Sequence, residues 1–261
     1  MVRETGGGSH DHLFIGTSGW SYRAWRNRFY PPGVPANRHL AHYAGRFNAV
    51  ETNSTAYGLP TVRTVEHWRE QLPAGFRTAL KMPQSITHVA RLRDCGPLLQ
   101  EFIARVRPLG AQLGPLLVQL PPSLTVDAPL LRDFLTEVRS QAMDIPMTVE
   151  FRHASWYRPQ IFAILTDADV ACCLHDMPGS ELTVPRTAGL LYIRFHGTAG
   201  RYSGSYGAAR LTVSADMIGE RLAKGRDVYA FFNNTMDGEA VDDADLLRAL
   251  ISGAPHPGRM L

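Results

Sequence analysis

Cysteine is scarce in this chain: Cys95, Cys172 and Cys173 are the only three in 261 residues. An odd count without a spaced pair argues against a disulfide framework and against a cysteine-held structural zinc, and it suits the cytoplasm. Apolar runs long enough to span a membrane are missing, so no membrane partner is expected. The segment Met1–His12 has no apolar core of the kind a secretory signal carries. It is polar, includes Gly6-Gly7-Gly8-Ser9, and reads as a flexible leader. Charge of one sign is not in large excess either. A net charge of +3 does not by itself imply nucleic acid, and it excludes no partner. The compact signatures of a zinc protease, a Walker loop, a serine nucleophile elbow and a dinucleotide fingerprint are all absent; Gly16-Thr17-Ser18-Gly19 follows a strand but lacks the required spacing.

What is present is a repeated alternation. Eight short apolar runs can be read along the chain. They are Leu13-Phe14-Ile15 before Gly16-Thr17-Ser18-Gly19-Trp20, Phe47-Asn48-Ala49-Val50 before Glu51, Phe76–Leu80 before Lys81, Leu116-Leu117-Val118 before Gln119, Thr148-Val149 before Glu150-Phe151-Arg152-His153, Val170–Leu174 before His175-Asp176, Leu190–Ile193 before Arg194-Phe195-His196, and Val228–Phe232 before Asn233-Asn234. Between them, apolar residues at helical spacing predict helices over His39–Phe47, Thr61–Leu72, Leu98–Val106, Leu130–Val138, Trp156–Leu165, Ser214–Leu222 and Asp243–Ile251. Asp127 and Pro129 mark the start of the fourth, and Ser155 is the expected N-cap of the fifth. The stretch Met177–Gly189, with Pro178, Gly179, Pro185 and Gly189, does not read as a full crossover helix. Strand and helix in this order predict an α/β fold: a single-domain TIM (β/α)8 barrel over residues 13–252, irregular at its weak sixth crossover, between the leader 1–12 and a loose tail 253–261. An open doubly wound sheet is the alternative, because closure is not visible in sequence.

The polar residues fall at one phase of each repeat, which scattered surface residues would not do. Alternate side chains of a strand share a face. Ala49 and Glu51 therefore form one inward set, as do Ala79 and Lys81, Glu150 and Arg152, Tyr192, Arg194 and His196, and Tyr229, Phe231 and Asn233. In a barrel these strand ends converge at the mouth, where barrel enzymes carry their chemistry. The competing reading is neutralisation at the rim, Glu51 with Lys81, Glu150 with Arg152 and Asp176 with Arg194.

Taken together these motifs resemble the YecE-like family, domain of unknown function 72. The residues that carry the resemblance are Gly16–Tyr22 with Trp25 and Phe29-Tyr30-Pro31; Phe47–Thr55; Lys81 with Pro83 and Ile86-Thr87-His88; Leu113–Pro122; Glu150–His153 with Ser155-Trp156; Arg194–Gly197; and Phe232-Asn233-Asn234. They follow in order from about Ile15 to Asn234. The resemblance implies a TIM-barrel fold and no particular activity. One departure is Ser54-Thr55-Ala56-Tyr57, where the family usually has Phe in place of Ala56; the missing ring would widen the pocket or leave a wall to another side chain.

The residues then sort by chemistry. Glu51 and Glu150, from the second and fifth strands, are the acid/base candidates. Lys81 follows an apolar strand, where desolvation would favour proton transfer or a Schiff base, against the plainer role of anchoring an anion. Arg152, Arg194 and Arg201 are expected to hold negative charge, the last on the glycine-rich loop Gly197–Tyr206, a candidate phosphate cradle. Gln119, His175, Asp176, His196 and Asn233 would orient a substrate. Trp20 and Tyr57 would stack a sugar or base, while Trp25 and Trp156 are expected to pack loops. The sequence requires no cofactor. A divalent metal on Glu51, Glu150, Asp176, His153, His175 or His196 has the right ligand types and no diagnostic spacing, so no metal ligand is assigned. Cys173 is a nucleophile only as the rarer alternative to an apolar filler. The expectation is an enzyme of hydrolase or lyase type for a small polar anion, phosphorylated or sugar-containing. The alternatives are a non-catalytic nucleic-acid-binding module and a metal-dependent phosphodiesterase.

Overall fold

The computed structural model describes residues 11–177, 180, 184–200 and 202–254. Strands β1 (Leu13–Thr17), β2 (Ala49–Thr52), β3 (Arg77–Lys81), β4 (Leu113–Gln119), β5 (Met147–Glu150), β6 (Ala171–Cys172), β7 (Leu174–His175), β8 (Leu191–Phe195) and β9 (Val228–Phe232) alternate with helices α1 (His39–Ala44), α2 (Val62–Gln71), α3 (Gly96–Val106), α4 (Ala128–Ala142), α5 (Pro159–Asp167), α6 (Gly207–Leu222) and α7 (Glu239–Ser252). The strands form two sheets, ordered β2-β3-β4-β5-β6 and β1-β9-β8-β7, and every ladder in them is parallel. This is an α/β, TIM-barrel-like arrangement with helical crossovers.

The two sheets meet along two seams. β6 and β7 are halves of one extended run interrupted at Cys173, whose N–H still donates to the Val149 carbonyl at 2.9 Å. On the other side a single parallel bridge joins Ser18 to Glu51, and Gly19 N–H donates to the Glu51 carbonyl at 2.7 Å. β1 and β2 share no regular ladder; side chains stitch them instead. The Asn48 amide imitates a peptide group, accepting from Ile15 N–H at 3.0 Å and donating to the Leu13 carbonyl at 2.6 Å. The Tyr43 hydroxyl accepts from Thr17 N–H at 2.7 Å and donates to the Ala49 carbonyl at 3.1 Å. Backbone groups left without a ladder partner are thereby satisfied.

Strand alternation divides the apolar residues into two populations. Phe14, Ala49, Ala79, Leu117, Cys173, Tyr192, Tyr229 and Phe231 form one buried cluster enclosed by the strands. The larger cluster lies between strands and helices and includes Val50, Leu80, Leu116, Val118, Val149 and Phe232. Ala49, Ala79, Leu117, Cys173, Tyr192 and Phe231 each stand two positions before a polar strand end, so the same parity that fills the interior also aims those side chains at the mouth.

Several helix boundaries depart from the sequence reading: α1 ends at Ala44 rather than Phe47, α4 runs on to Ala142 rather than Val138, and α7 begins at Glu239 rather than Asp243. α5 begins at Pro159 rather than Trp156, because Ala154–Trp156 form a separate 3-10 turn capped by His153 Nδ1, which accepts from Ser155 N–H at 3.1 Å. Ser155 therefore does not cap α5. α6 begins at Gly207, well before Ser214. Among the described residues no helix lies between β7 and β8, in line with the weak sixth crossover. Asp127 caps α4 as expected, its carboxylate accepting from Leu130 N–H at 3.0 Å.

Gly16 limits how close β1 and β2 can come. A Cβ there would lie 2.0 Å from the Ala49 carbonyl oxygen and 2.5 Å from the Tyr43 hydroxyl. Gly16→Ala is expected to cost about 3 kcal/mol or more, at the high end of overpacking. Gly58→Ala, where nothing stands within 4 Å, should be close to neutral. Urea unfolding of the two variants measures the difference, and equal stability would remove Gly16 from the seam.

Candidate functional site

The polar layer above the inner cluster is built around Arg194, a fully buried guanidinium at the end of β8. Its Nε and Nη2 donate to the two Glu51 oxygens at 2.8 and 2.6 Å, and its Nη1 donates to Glu150 Oε2 at 2.5 Å. One side chain thus ties β8 to β2 and to β5. The other Glu150 oxygen accepts from Arg152 Nε. Glu51 also accepts from Ser18 Oγ at 2.6 Å and from the Tyr192 hydroxyl at 2.7 Å. Both carboxylates are sealed from solvent. Burial alone would raise the Glu150 carboxyl, but Arg194 and Arg152 outweigh it and hold the group well below the usual carboxylate range. Carboxylates bound in this way are poor proton acceptors and fit the role of counter-ions that fix guanidiniums.

Lys81 is different. It is 8% exposed, and its amine has no hydrogen-bond or ion-pair partner among the described residues. The partner expected for it, Glu51, is taken by Arg194. Burial and then the Arg194 charge lower the amine from 10.5 to about 8, with Glu150 and Glu51 acting in the opposite direction.

The imidazoles around it are neutral. Burial, then Arg194, pushes His196 well below its ordinary value, and burial lowers His175. His175 Nε2 donates to the Phe151 carbonyl at 2.8 Å, which leaves Nδ1 as a buried lone pair without a partner among the described residues. The Asn233 amide lies 3.1 Å from His196 Nδ1, and His196 Nε2, 3.9 Å from Glu150 Oε1, has no hydrogen-bond partner among the described residues. An unsatisfied buried nitrogen costs about 1–3 kcal/mol, so both are places for a polar atom of a ligand or a water.

Of the residues named from sequence, Glu51, Lys81, Glu150, Arg152, His175, Arg194, His196 and Asn233 come together here. Gln119 is half-buried beside them, in register with Glu150. Others do not join the site. Both Asp176 oxygens are occupied, one by His196 N–H at 2.8 Å and the other by the Tyr206 hydroxyl, so Asp176 holds a loop rather than Arg194. Trp20 packs edge-on against Trp68 at 5.6 Å between ring centres. Tyr57 projects outward, 76% exposed, while Ala56 beside it is buried. Trp25 and Trp156 are fully buried, as expected of packing residues. His153 is used by the turn described above. Arg201 lies outside the described residues.

The glycine-rich loop closes on itself. Gly197 N–H donates to the Tyr206 hydroxyl at 2.6 Å, and Ala199 N–H to the Ser203 carbonyl at 3.1 Å. Its glycines serve that tight fold: Gly197 has φ +104°, and a Cβ there would lie 2.2 Å from the Ser203 carbonyl oxygen. The N–H groups expected to cradle a phosphate are partly used. Cys173 sits in the inner cluster, and burial pushes its thiol well above the ordinary value, which leaves it an inert filler.

Four participants have no role assigned from the sequence. Ser18 and Tyr192 hold Glu51, and Tyr157 lies 3.2 Å from His175 Nε2. His88 stands on a π-helical turn, Ser85–Val89, a conformation concentrated at functional sites. Burial and then the charges of Lys81 and Arg152 lower its basicity. A compositional signal was also available. The chain has two lysines, Lys81 and Lys224, against 25 arginines, so a lysine at a buried strand end stands out.

One ligand atom each from Glu150, His175 and His196 lies within 4.8 Å of the others, and a carboxylate with two neutral imidazoles is a reasonable donor set. The surroundings oppose a cation: both Glu150 oxygens already bind guanidiniums, and Lys81 adds a third positive group.

Comparison with known proteins agrees with this architecture. The family model described as "Protein of unknown function DUF72" matches residues 14–258. The UPF0759 protein YecE of Escherichia coli (strain K12) is 36% identical over 152 residues, 58% of this chain and 50% of that protein; the chain thus spans about half the length of this relative. The UPF0759 protein YunF of Bacillus subtilis (strain 168) is 25% identical over 270 residues, 92% of this chain and 94% of that one. The crystal structure of a DUF72 family protein from Thermotoga maritima MSB8 superposes with a TM-score of 0.74 at 26% identity, covering 92% of this chain and 99% of that chain. Another from Enterococcus faecalis V583, 20% identical, has a TM-score of 0.77 over 95% of this chain and 99% of its own, a likeness of fold.

Replacing Arg194 by Met would leave Glu51 without its guanidinium and Glu150 with Arg152 alone. A loss of about 3–5 kcal/mol is expected at neutral pH, the cost of breaking a buried pair from one side. Glu150, whose carboxyl is lowered in the folded state, contributes stability that is present above its ordinary 4.5 and is lost as the pH falls through the lowered native value. The deficit of Arg194→Met should therefore narrow below that pH. Chemical denaturation from neutral to acidic pH measures it, and a deficit independent of pH would contradict the pairing.

Proposed function

The chain belongs to the DUF72 family, and for this member we propose an enzyme that binds a small anionic substrate at the barrel mouth and moves protons there through Lys81. The observation that carries this reading is the Lys81 amine: it is nearly buried, lowered to about 8, and has no counter-ion among the described residues. The charges of Glu51 and Glu150 are balanced by Arg194 and Arg152, so the cationic group left over is Lys81, and its complement is an anion. An amine whose pKa lies near neutrality can carry a proton in either direction, which is what general acid–base catalysis requires. Arg152, 12% exposed at its side chain, supplies the second positive contact. Gln119, His175, His196 and Asn233 orient the substrate. Glu51 and Glu150 take the supporting role of fixing Arg194 and Arg152. The reaction class this chemistry suits is hydrolytic or lyase-type cleavage of a phosphorylated, sugar-derived or carboxylate-bearing compound.

A second reading, a surface for single-stranded nucleic acid, draws support from Tyr57 and Tyr202, which are 76% and 37% exposed and offer faces for stacking.

Thermal-shift measurements against inorganic phosphate, sugar phosphates, 2-oxo acids and dicarboxylates separate these. A bound anion at about 100 times its dissociation constant should stabilise the fold by about 2.7 kcal/mol. The effect should vanish in Lys81→Met and shrink in Arg152→Met. Stabilisation that survives unchanged in both variants, or no response to any of these anions, would refute the anion site. Salt-sensitive binding of an oligonucleotide alone would favour the second reading.

A further inference from the structure

We propose that Lys81 is an amine nucleophile and that the anion it meets carries a carbonyl group, so that a small 2-oxo acid condenses with Lys81 as an imine. This rests on the preceding reading of the mouth as an anion site and adds the substrate class and the covalent step.

Composition gives the first argument. The chain uses arginine for 25 of its 27 strong cations. Every ion pair among the described residues has arginine or histidine as its cation. Arginine remains charged at any ordinary pH and serves wherever charge alone is needed; only lysine can present a neutral amine. Of the two lysines, Lys224 is exposed, and Lys81 stands at the end of β3 with the interior parity of Ala79.

The second argument is the missing counter-ion. Glu51 and Glu150 would hold Lys81 as an ammonium if they were available. Their oxygens are instead committed to Arg194, Arg152, Ser18 and Tyr192. With the carboxylates hydrogen-bonded elsewhere, burial and then the Arg194 charge leave the amine able to lose its proton.

The third argument is that the remaining parts are at hand. Arg152 is suited to the carboxylate of a 2-oxo acid, because its fork binds planar oxyanions. His88 is half-buried, with its Nδ1 2.8 Å from Thr87 Oγ1; burial and then the Lys81 and Arg152 charges lower its basicity, and we assign it the role of proton relay. The Lys81 Nζ lone pair forms the C–N bond as the carbonyl π pair moves to oxygen. A proton from nitrogen passes by way of His88 to that oxygen. The second nitrogen proton follows as the C–O bond breaks, and water leaves. Amine and carbonyl become imine and water, with no oxidant or reductant.

Reductive trapping of the wild-type protein tests this. The protein is incubated separately with pyruvate, glyoxylate and 2-oxoglutarate, and the imine is reduced with cyanoborohydride. Intact mass and peptide mapping should show one adduct, the acid less one oxygen atom, on Lys81. It should form about tenfold or more faster than on Lys224, because an unprotonated, preorganised amine reacts first. Folded Lys81→Arg should give no adduct at that rate. If one of these acids stabilises the protein against heat yet labels Lys81 no faster than Lys224, the imine is refuted and the anion site stands. If none of them labels Lys81 and no anion of the wider panel binds, both readings fall.

Discussion

A guanidinium buried between two carboxylates is the interaction on which the rest of this structure depends. Arg194 cannot shed its charge, and in the interior that charge is tolerable only with partners in good geometry. Glu51 and Glu150 provide them from two other strands. Once they do, the electrostatics of the mouth follow. Both carboxylates are occupied, and Glu150 is held well below the usual carboxylate range. The imidazoles of His175 and His196, beside a permanent cation and out of water, stay neutral. Lys81, without a counter-ion among the described residues, has its amine lowered to about 8 by burial and then by the Arg194 charge.

The same residues join fold to site. Glu51 gives its carboxylate to Arg194, and its backbone carbonyl accepts from Gly19 at the seam between β1 and β2. Ser18 makes the seam bridge and also donates to the Glu51 carboxylate. Asn48 and Tyr43 complete the seam below, where Gly16 permits close approach. A change that opens this seam therefore disturbs the ion cluster as well, and the segment from Phe47 to Glu51 carries a structural and an electrostatic duty together.

Much of this was legible in the sequence wherever strand alternation governs. A side chain two positions after an inner apolar residue points to the mouth, and Glu51, Lys81, Arg194 and Asn233 obey that rule, while Glu150 has the same phase but follows Thr148, in register with Leu117. Asp176 did not belong with them, since it has the opposite parity to His175 and turns toward the Tyr206 loop. Trp20 and Tyr57 lie beyond their strands, where alternation no longer fixes direction. Pairing was harder to read than direction. Glu51 was weighed against Lys81, a neighbour by strand order, but Arg194 reaches it from β8 because two sheets meet there and a long side chain spans the gap. His88 was hidden in a π-helical turn that no simple periodicity signals. The scarcity of lysine was visible from the start and becomes informative once Lys81 is seen without a partner.

If the mouth carboxylates are fixed as counter-ions, the Lys81 amine is the group left available for chemistry. Lysine-specific isotope labelling of the wild-type protein yields only two side-chain signals, from Lys81 and Lys224, assigned with Lys224→Arg, and their pH titration by NMR addresses the claim directly. The Lys81 signal is predicted to titrate near 8. Titration of Lys81 at the ordinary 10.5 would mean that a carboxylate holds it as an ammonium, and would contradict the account.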